Sequence, residues 1–301
     1  MAPELVHHVH GKSRVRVART WREGATHHFV EWNVQVIIES DMAHAYKTPS
    51  NEGMTATDTT KNQCYVVARR MRRRCAPEEY ALALTRQFLD SYPLISAVHV
   101  RVEQQPWRRV EVMGRPHDHG FAAVDLGVRV ASVVARRDSP PEIVSGILGA
   151  RLLKTTQSGY EGFLRDQHTG LQNTRDRILA TALDAEWSYE RPLGDARAVD
   201  FDETYARVTD ALTELFYGPP RGGVYSPSVQ YTLYQMGAAA VERAKEVRQI
   251  TLTAPNLHFI PARVPGSEDF DDDVYVATSE PHGRISATVS SGGTFTPPAK
   301  L

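Results

Sequence analysis

The order of predicted secondary structure repeats once along the chain, and this duplication constrains the fold more than any other feature of the sequence. In each half, two stretches of alternating polar and apolar residues precede two amphipathic helices, and two more alternating stretches follow. The first half has predicted strands at 13–19, 29–38, 95–102 and 107–112, and predicted helices at about 57–74 and from 77 onward. The second half has predicted strands at 124–135, 143–153, 248–253 and 274–278, and predicted helices at 202–217 and 226–247.

A duplicated ββααββ chain predicts an α+β fold in which paired helices cover one side of an antiparallel sheet. The chain is divided into a first repeat, a second repeat and a flexible C-terminal tail, at residues 1–120, 121–290 and 291–301. The second repeat contains an insert near 158–191, for which we predict a short helix at 172–181 and a strand at 185–190. Each four-stranded sheet would leave two open edges, so we expect an oligomer whose sheets pair edge to edge.

Composition excludes several classes of protein. The chain has 301 residues, 41% of them hydrophobic and 24% charged, so it has ample material for a core and is neither disordered nor fibrous. With 35 basic and 36 acidic residues the net charge is -1, which gives no overall attraction to nucleic acid or to an anionic membrane. No apolar run is long enough for a membrane helix, and the first residues lack the features of a signal peptide. We therefore expect an intracellular protein, and the excess of Arg over Lys favours a bacterial cytoplasm.

Short motifs outside this pattern give only weak functional signals. The run Arg69–Arg74 could contact phosphates from a helix, although a solvated or interface surface is the more common role of such a run. His117-Asp118-His119 has no third metal ligand at a recognised spacing, which favours a structural pair of turn histidines. Cys64 and Cys75 are predicted on one helix, too far apart for a disulfide, so we expect two free thiols. Glycine-rich phosphate loops, the GxSxG elbow and the HExxH pair are absent from the sequence.

Six separated strings are more specific, and together they resemble the urate oxidase (uricase) family, whose fold is the tunnelling fold (T-fold). They occur in the family's order, and the ββααββ duplication agrees with that fold. The strings are His10-Gly11-Lys12 with Val15-Arg16-Val17, Ala56-Thr57-Asp58-Thr59-Thr60-Lys61-Asn62, Gly162-Phe163-Leu164-Arg165-Asp166, Thr174-Arg175-Asp176-Arg177-Ile178-Leu179, Ser228-Val229-Gln230, and Pro255-Asn256-Leu257-His258.

The resemblance implies an assembly and a reaction. Two subunits would close their antiparallel sheets into a barrel, and two barrels would stack as a homotetramer with active sites at the subunit interfaces. The enzyme would convert urate, O2 and water to 5-hydroxyisourate and hydrogen peroxide, with no metal, flavin or other cofactor. Nucleic acid and membrane are not expected as partners.

The resemblance also implies which residues bind the purine. Arg177 and Gln230 would hold its polar edge, because Arg offers a fixed fork of donors and the Gln amide both donates and accepts. The backbone N–H of Val229 would add a donor. Tyr160 stands where the family usually carries a Phe stacked on the ring, and its aromatic face retains that capacity. Asp58 would contact the purine edge, and it is also a candidate N-cap of the first long helix.

The remaining family positions handle protons and oxygen. Urate must lose a further proton to reduce dioxygen, and Lys12 would accept it through the hydroxyl of Thr57, provided that burial lowers the pKa of the lysine. His258 would orient Lys12 or share its proton. Asn256 would hold dioxygen or water over the ring, with Thr57 beside it. Because Thr57 lies in the first half and Arg177 in the second, the sequence favours a site shared between subunits.

Three alternatives stay open at the level of the sequence. The chain could be another T-fold purine or pterin enzyme, although the anchoring glutamate and the zinc site of such enzymes are not evident. It could be a non-catalytic nucleic-acid-binding scaffold that uses the Arg69–Arg74 run. Its location could be peroxisomal instead of cytoplasmic, since the terminal Ala299-Lys300-Leu301 resembles a relaxed peroxisomal signal.

Overall fold

A computed structural model describes residues 3–124, 127–190, 199–266 and 273–292. The strands are β1 (His10–Glu23), β2 (Thr26–Ser40), β3 (Ile95–Gln104), β4 (Trp107–Val112), β5 (Arg115–Ala123), β6 (Val128–Arg136), β7 (Ser139–Lys154), β8 (Leu179–Tyr189), β9 (Val247–Pro261), β10 (Tyr275–Thr278) and β11 (Arg284–Ser290). The helices are α1 (His44–Lys47), α2 (Thr57–Arg70), α3 (Pro77–Ser91), α4 (Phe201–Tyr217) and α5 (Val229–Arg243).

The chain forms two compact units. Unit 1 contains the described residues up to Gly146 and those from 199 to Asp202, and unit 2 contains Ile147–Glu190 and the described residues from Glu203 onward. This division follows packing, and the repeat boundary at 120/121 stays a prediction. Of the predicted tail, residues 293–301 lie outside the described part of the chain, and so does Ala299-Lys300-Leu301.

Unit 1 contains an antiparallel sheet with the strand order β1-β2-β3-β6. The alternate residues of β2 are buried because one face of the sheet carries α2 and α3. Trp32 of β2 stacks on Tyr80 of α3 at 4.3 Å between ring centroids, and both side chains are fully buried. Strands β4 and β5 pair with each other in a separate two-stranded sheet. The predicted strand 107–112 therefore exists, but β6 completes the main sheet.

Unit 2 is built around β9, which is long enough to pair with three strands. One edge of β9 pairs with β8, and the other pairs first with β11 and then with β10. Helix α5 packs on β9 and β11. In chain order, β7, β8, α4, α5, β9 and β11 repeat the order of β1, β2, α2, α3, β3 and β6. The predicted α+β class with duplicated helix pairs and antiparallel sheets is confirmed.

Three predictions about local structure are wrong. Residues 172–178 form no helix, and β8 begins at Leu179 because the alternate positions from there to Tyr189 are buried in the sheet. Helix α2 ends at Arg70, so Cys64 and Cys75 do not share a helix, although both are free and buried as expected. Burial raises the pKa of each thiol to about 12. His117 and His119 lie in strand β5 and not in a turn.

None of the helices in the described ranges is long and apolar enough to cross a membrane.

Candidate active site

Lys12 projects from an irregular stretch of β1. The pairing of β1 with β2 shifts register directly after Lys12, and Arg14 adopts a left-handed φ of 59° in this bulge. Gly11 is required here, because a Cβ at this position would lie 2.0 Å from the carbonyl oxygen of Val36. The bulge thus fixes the direction of the half-buried Lys12 side chain.

Thr57 and Asp58 occupy the first turn of α2, and both are exposed. The N-cap residue is Ala56, so the predicted N-cap role of Asp58 is wrong. The Asp58 carboxylate instead accepts hydrogen bonds from Lys61 Nζ at 2.6 Å and Asn62 Nδ2 at 2.9 Å. Lys61 is the main cause of the lowered pKa of Asp58, and the charge of Lys12 also contributes. Lys12, Thr57 and Asp58 are therefore neighbours in unit 1.

Tyr160 lies in the loop between β7 and β8. Its backbone is held by two hydrogen bonds with Thr174, at 2.8 and 3.1 Å, which form an isolated antiparallel bridge. The rings of Tyr160 and Phe163 stack at 4.8 Å with an interplanar angle of 7°. Phe163 therefore supports one face of the Tyr160 ring.

Arg177 follows in the same loop, close to Tyr160. Its guanidinium carbon lies 5.6 Å from the centre of the Tyr160 ring. The side chain is half-buried, and burial lowers the pKa of the guanidinium. Among the described residues, the buried Nε atom of Arg177 has no hydrogen-bond partner. A planar cation with an unused donor is suited to a flat anionic ligand.

Val229 and Gln230 are the first two residues of α5. Ser228 caps this helix by accepting a hydrogen bond from the Tyr231 N–H at 3.1 Å. The N–H groups at the first two positions of a helix have no acceptor within the helix, and they point toward the positive end of its dipole. The exposed Gln230 amide adds a side-chain donor and acceptor beside these groups.

Asn256 and His258 lie two residues apart on β9, so their side chains point to the same face of the strand. Asn256 is paired with Thr181 of β8, and His258 with Thr278 of β10. Asn256 and Val229 both line a small apolar pocket in unit 2. The other lining residues are Leu179, Ala180, Thr181, Leu183, Phe216, Thr232, Leu233, Met236 and Ala254.

The structure divides the nine predicted site residues between the two units, and within each unit some of them lie close together. Unit 1 holds Lys12, Thr57 and Asp58. Unit 2 holds Tyr160 beside Arg177, Val229 beside Asn256, and the neighbouring positions Gln230 and His258. Unit 1 thus supplies a cation, a hydroxyl and a carboxylate, and unit 2 supplies an aromatic ring, a guanidinium, two amide side chains, a helix N-terminus and an imidazole.

Sequence reasoning missed Tyr225, whose phenol, like that of Tyr160, opposes the lowering of the Arg177 pKa by burial. Its hydroxyl lies so close to Gly159 that a Cβ there would be 2.1 Å away, so Gly159 makes room for it. It also missed Lys154 and Ser226, which are hydrogen-bonded to each other; the Ser226 carbonyl oxygen accepts from the N–H of Gly159, the residue before Tyr160. No short motif marks these three residues, because their contacts join separate segments.

Comparison with known proteins decides the family. The model of the uricase family matches residues 8–134 and 143–286. A uricase of Arabidopsis thaliana is 43% identical over 93% of this chain and 94% of its own length, and the uricase-2 isozyme 1 of Glycine max is 40% identical over 93% of each chain. The chain belongs to the uricase family.

A solved uricase confirms the fold. The crystal structure of uricase from Arthrobacter globiformis matches with a TM-score of 0.88 and 32% identity, over 99% of this chain and 98% of the other. The resemblance drawn from the six strings to the uricase family is therefore confirmed, and with it the T-fold.

The structure also shows the residues on which the alternatives to a uricase depended. The Arg69–Arg74 run is not one helical face, because α2 ends at Arg70. Arg70 donates to Gln87, Arg73 pairs with Glu79, and Arg74 pairs with Asp202. In the part of the chain that the structure describes, no group of three or more His, Cys, Asp and Glu residues could hold a metal ion. His117 instead accepts a hydrogen bond from the His119 N–H at 3.2 Å.

Proposed function

We propose that this chain oxidises urate with O2 and water to 5-hydroxyisourate and hydrogen peroxide, using only its own side chains and backbone and no cofactor. The observation that carries this proposal is the half-buried Arg177 fork beside the Tyr160 ring. The residue before Tyr160, Gly159, is hydrogen-bonded to Ser226, two residues before the N-cap of α5. A flat, anionic oxopurine needs a surface for stacking and a row of donors along its edge, and Tyr160 and Arg177 supply both.

The ring-binding groups of unit 2 have separate roles. Arg177 binds two acceptors on one edge of the purine, while the Gln230 amide donates to and accepts from the adjacent edge. The Val229 N–H, which has no acceptor within the helix, donates to a ring nitrogen or carbonyl oxygen. Tyr160 stacks on the ring, with Phe163 behind it.

The three groups of unit 1, together with Asn256 and His258 of unit 2, handle the proton and the dioxygen. Lys12 accepts a proton from urate through the Thr57 hydroxyl, which leaves an electron-rich dianion for the reaction with dioxygen. Asp58, already bound to Lys61 and Asn62, orients its oxygens toward the purine edge. His258 orients Lys12 or shares its proton. Asn256 holds dioxygen or water over the ring, with Thr57 beside it, because a neutral amide serves both ligands without adding charge.

A complete site combines unit 1 of one subunit with unit 2 of another in a homotetramer. Strand β1 supports this arrangement, because within the described chain it pairs only with β2 and leaves an open edge. Edge pairing with a second copy would close the sheets into a barrel and remove that edge. It would also bury Thr57 and Asp58, which are exposed in the single chain.

The test uses purified protein, stripped of metal with a chelator and mixed with urate in air. We expect the urate absorbance to fall while one hydrogen peroxide forms for each urate consumed. An Arg177→Ala preparation made in parallel controls for contaminating oxidase. Activity that disappears with the chelator and returns with an added metal would overturn the cofactor-free mechanism, and a protein that leaves urate unchanged would overturn the function.

A further inference from the structure

Ser226 is a buried residue that joins two segments of unit 2. Only 1% of its surface is exposed. Its carbonyl oxygen accepts a hydrogen bond from the Gly159 N–H at 2.9 Å, and its own N–H donates to the carbonyl oxygen of Gln157 at 2.9 Å. Gln157 adopts a left-handed φ of 61°, which is unusual for a residue other than glycine. The segment directly before Tyr160 is thus held in a strained conformation against Ser226.

The side chain of Ser226 extends the connection to α5. Its Oγ lies 2.8 Å from the hydroxyl of Thr232, and Thr232 in turn donates to the carbonyl oxygen of Ser228, the N-cap residue of α5. Ser226 therefore links the segment that carries Tyr160 to the helical turn that presents Val229 and Gln230.

Lys154 holds this connection in place. Its Nζ donates to Ser226 Oγ at 2.9 Å and to the carbonyl oxygen of Val224 at 2.7 Å. The ammonium group also lies 5.6 Å from the centre of the Phe216 ring, and burial lowers the pKa of the lysine. Burying a charged group costs free energy unless the group is hydrogen-bonded. Here two oxygen atoms accept hydrogen bonds from the Lys154 ammonium group.

We propose that Lys154 is a positioning residue for urate binding, acting through Ser226 to set the stacking ring of Tyr160 against the donors at the start of α5. This inference rests on the proposed function, because it assumes that the ring-binding groups lie where that function needs them. Lys154 does not touch the substrate. Its loss would let the two sides of the binding surface move independently.

The matched pair of variants is Lys154→Met and Lys245→Met. Both remove an ammonium group from a chain of similar length, but Lys245 is exposed on the surface of the same unit. For Lys154→Met we expect the KM for urate, and the Kd for the unreactive oxopurine xanthine, to rise about 10-fold, because a charge-assisted hydrogen bond is lost. We expect kcat to change much less, since ring binding precedes the chemical step. Lys245→Met keeps the KM and the Kd of the wild type.

Two further variants separate positioning from folding. Lys154→Arg can still donate to both oxygens, and we expect it to restore most of the lost affinity. Thr232→Val removes the hydroxyl on the other side of Ser226 and should raise KM in the same direction, even if Lys154→Met fails to fold. Thermal melting and the oligomeric state are measured for every variant.

The outcomes distinguish this inference from the proposed function. A wild-type protein that leaves urate unchanged overturns the proposed function. A wild-type protein that oxidises urate, with KM and Kd unchanged in a folded Lys154→Met or in Thr232→Val, overturns only the role of Lys154. The same conclusion follows if Lys154→Arg binds xanthine no better than Lys154→Met.

Discussion

The guanidinium of Arg177 stands over the ring of Tyr160, with 5.6 Å between its central carbon and the ring centre. A cation at this distance is attracted to an aromatic face, so each side chain restrains the other before any ligand arrives. Phe163 is a second neighbour of Tyr160, and the two rings stack at 4.8 Å. The two predicted ring-binding residues of this loop therefore form one preorganised surface.

Removal of the edge-binding groups should weaken urate binding. We expect Arg177→Ala and Gln230→Ala each to lose about 1–3 kcal/mol of binding free energy, because each substitution leaves polar atoms of the bound purine unpaired. Titration with xanthine measures this directly. Arg175→Ala is the matched control for the first variant, since Arg175 is exposed and pairs with Glu161. Unchanged saturation in both site variants would contradict the assignment.

Removal of the proton relay should lower turnover more than affinity. We expect Lys12→Met and Thr57→Ala to reduce kcat by about 10²- to 10⁴-fold with little change in the Kd for xanthine, because the ring-binding groups remain. The double variant should lose little more than the worse single variant, since the members of a relay act together. Lys47→Met, at an exposed lysine of unit 1, serves as the control. Multiplicative losses in the double variant would argue against the relay.

Two inactive variants should complement each other in mixed tetramers. Thr57→Ala damages the group in unit 1 and Arg177→Ala the group in unit 2, so a shared site between a subunit of each kind can be intact. Under conditions where subunits exchange, we expect activity to return in proportion to the mixed species, measured by native mass spectrometry and urate consumption. Verified mixed tetramers without activity would show that one subunit supplies the whole site.

An ion cluster in unit 1 should make stability depend on pH through Asp202. Burial by itself raises the pKa of Asp202, but Arg129, with its NH1 2.5 Å from Asp202 Oδ1, and Arg74 outweigh that effect, so the pKa is lowered from 3.8. A lowered pKa in the folded protein stabilises it above the pKa of the unfolded chain, and this stability disappears as the pH falls through the folded value.

Asp202→Asn tests this dependence. At about pH 7 we expect the variant to lose about 1–3 kcal/mol of unfolding free energy, because the nearly buried Arg129 loses a charged partner and solvent screens only part of the effect. In urea unfolding, the difference from the wild type should shrink below pH 3.8. Asp210→Asn, at an exposed residue of α4, is the control. A difference that stays constant with pH would show that Asp202 acts through its shape and not its charge.

Local patterns in the sequence were sufficient to predict the strands and helices whose structure depends on residues nearby in the chain. Strand β2 alternates because every second residue from Val30 to Ile38 is buried under the helices. Helix α3 begins at Pro77, as predicted, because proline suits the first turn of a helix. The family strings identified the family in the same way, since each string is a short local segment, and the site residues inferred from them stay predictions.

Only the tertiary structure decided the features that join distant segments. The apolar residues after Arg177 fit a helix or a strand equally well, and pairing with β9 makes them strand β8. The bulge that directs Lys12 depends on the carbonyl oxygen of Val36 in the neighbouring strand. Lys154 and Ser226 are separated by 72 positions, and no local sequence pattern predicts a hydrogen bond between residues so far apart in the chain. Such contacts join residues that are distant in the sequence and adjacent in the fold. They can therefore be identified only from the tertiary structure.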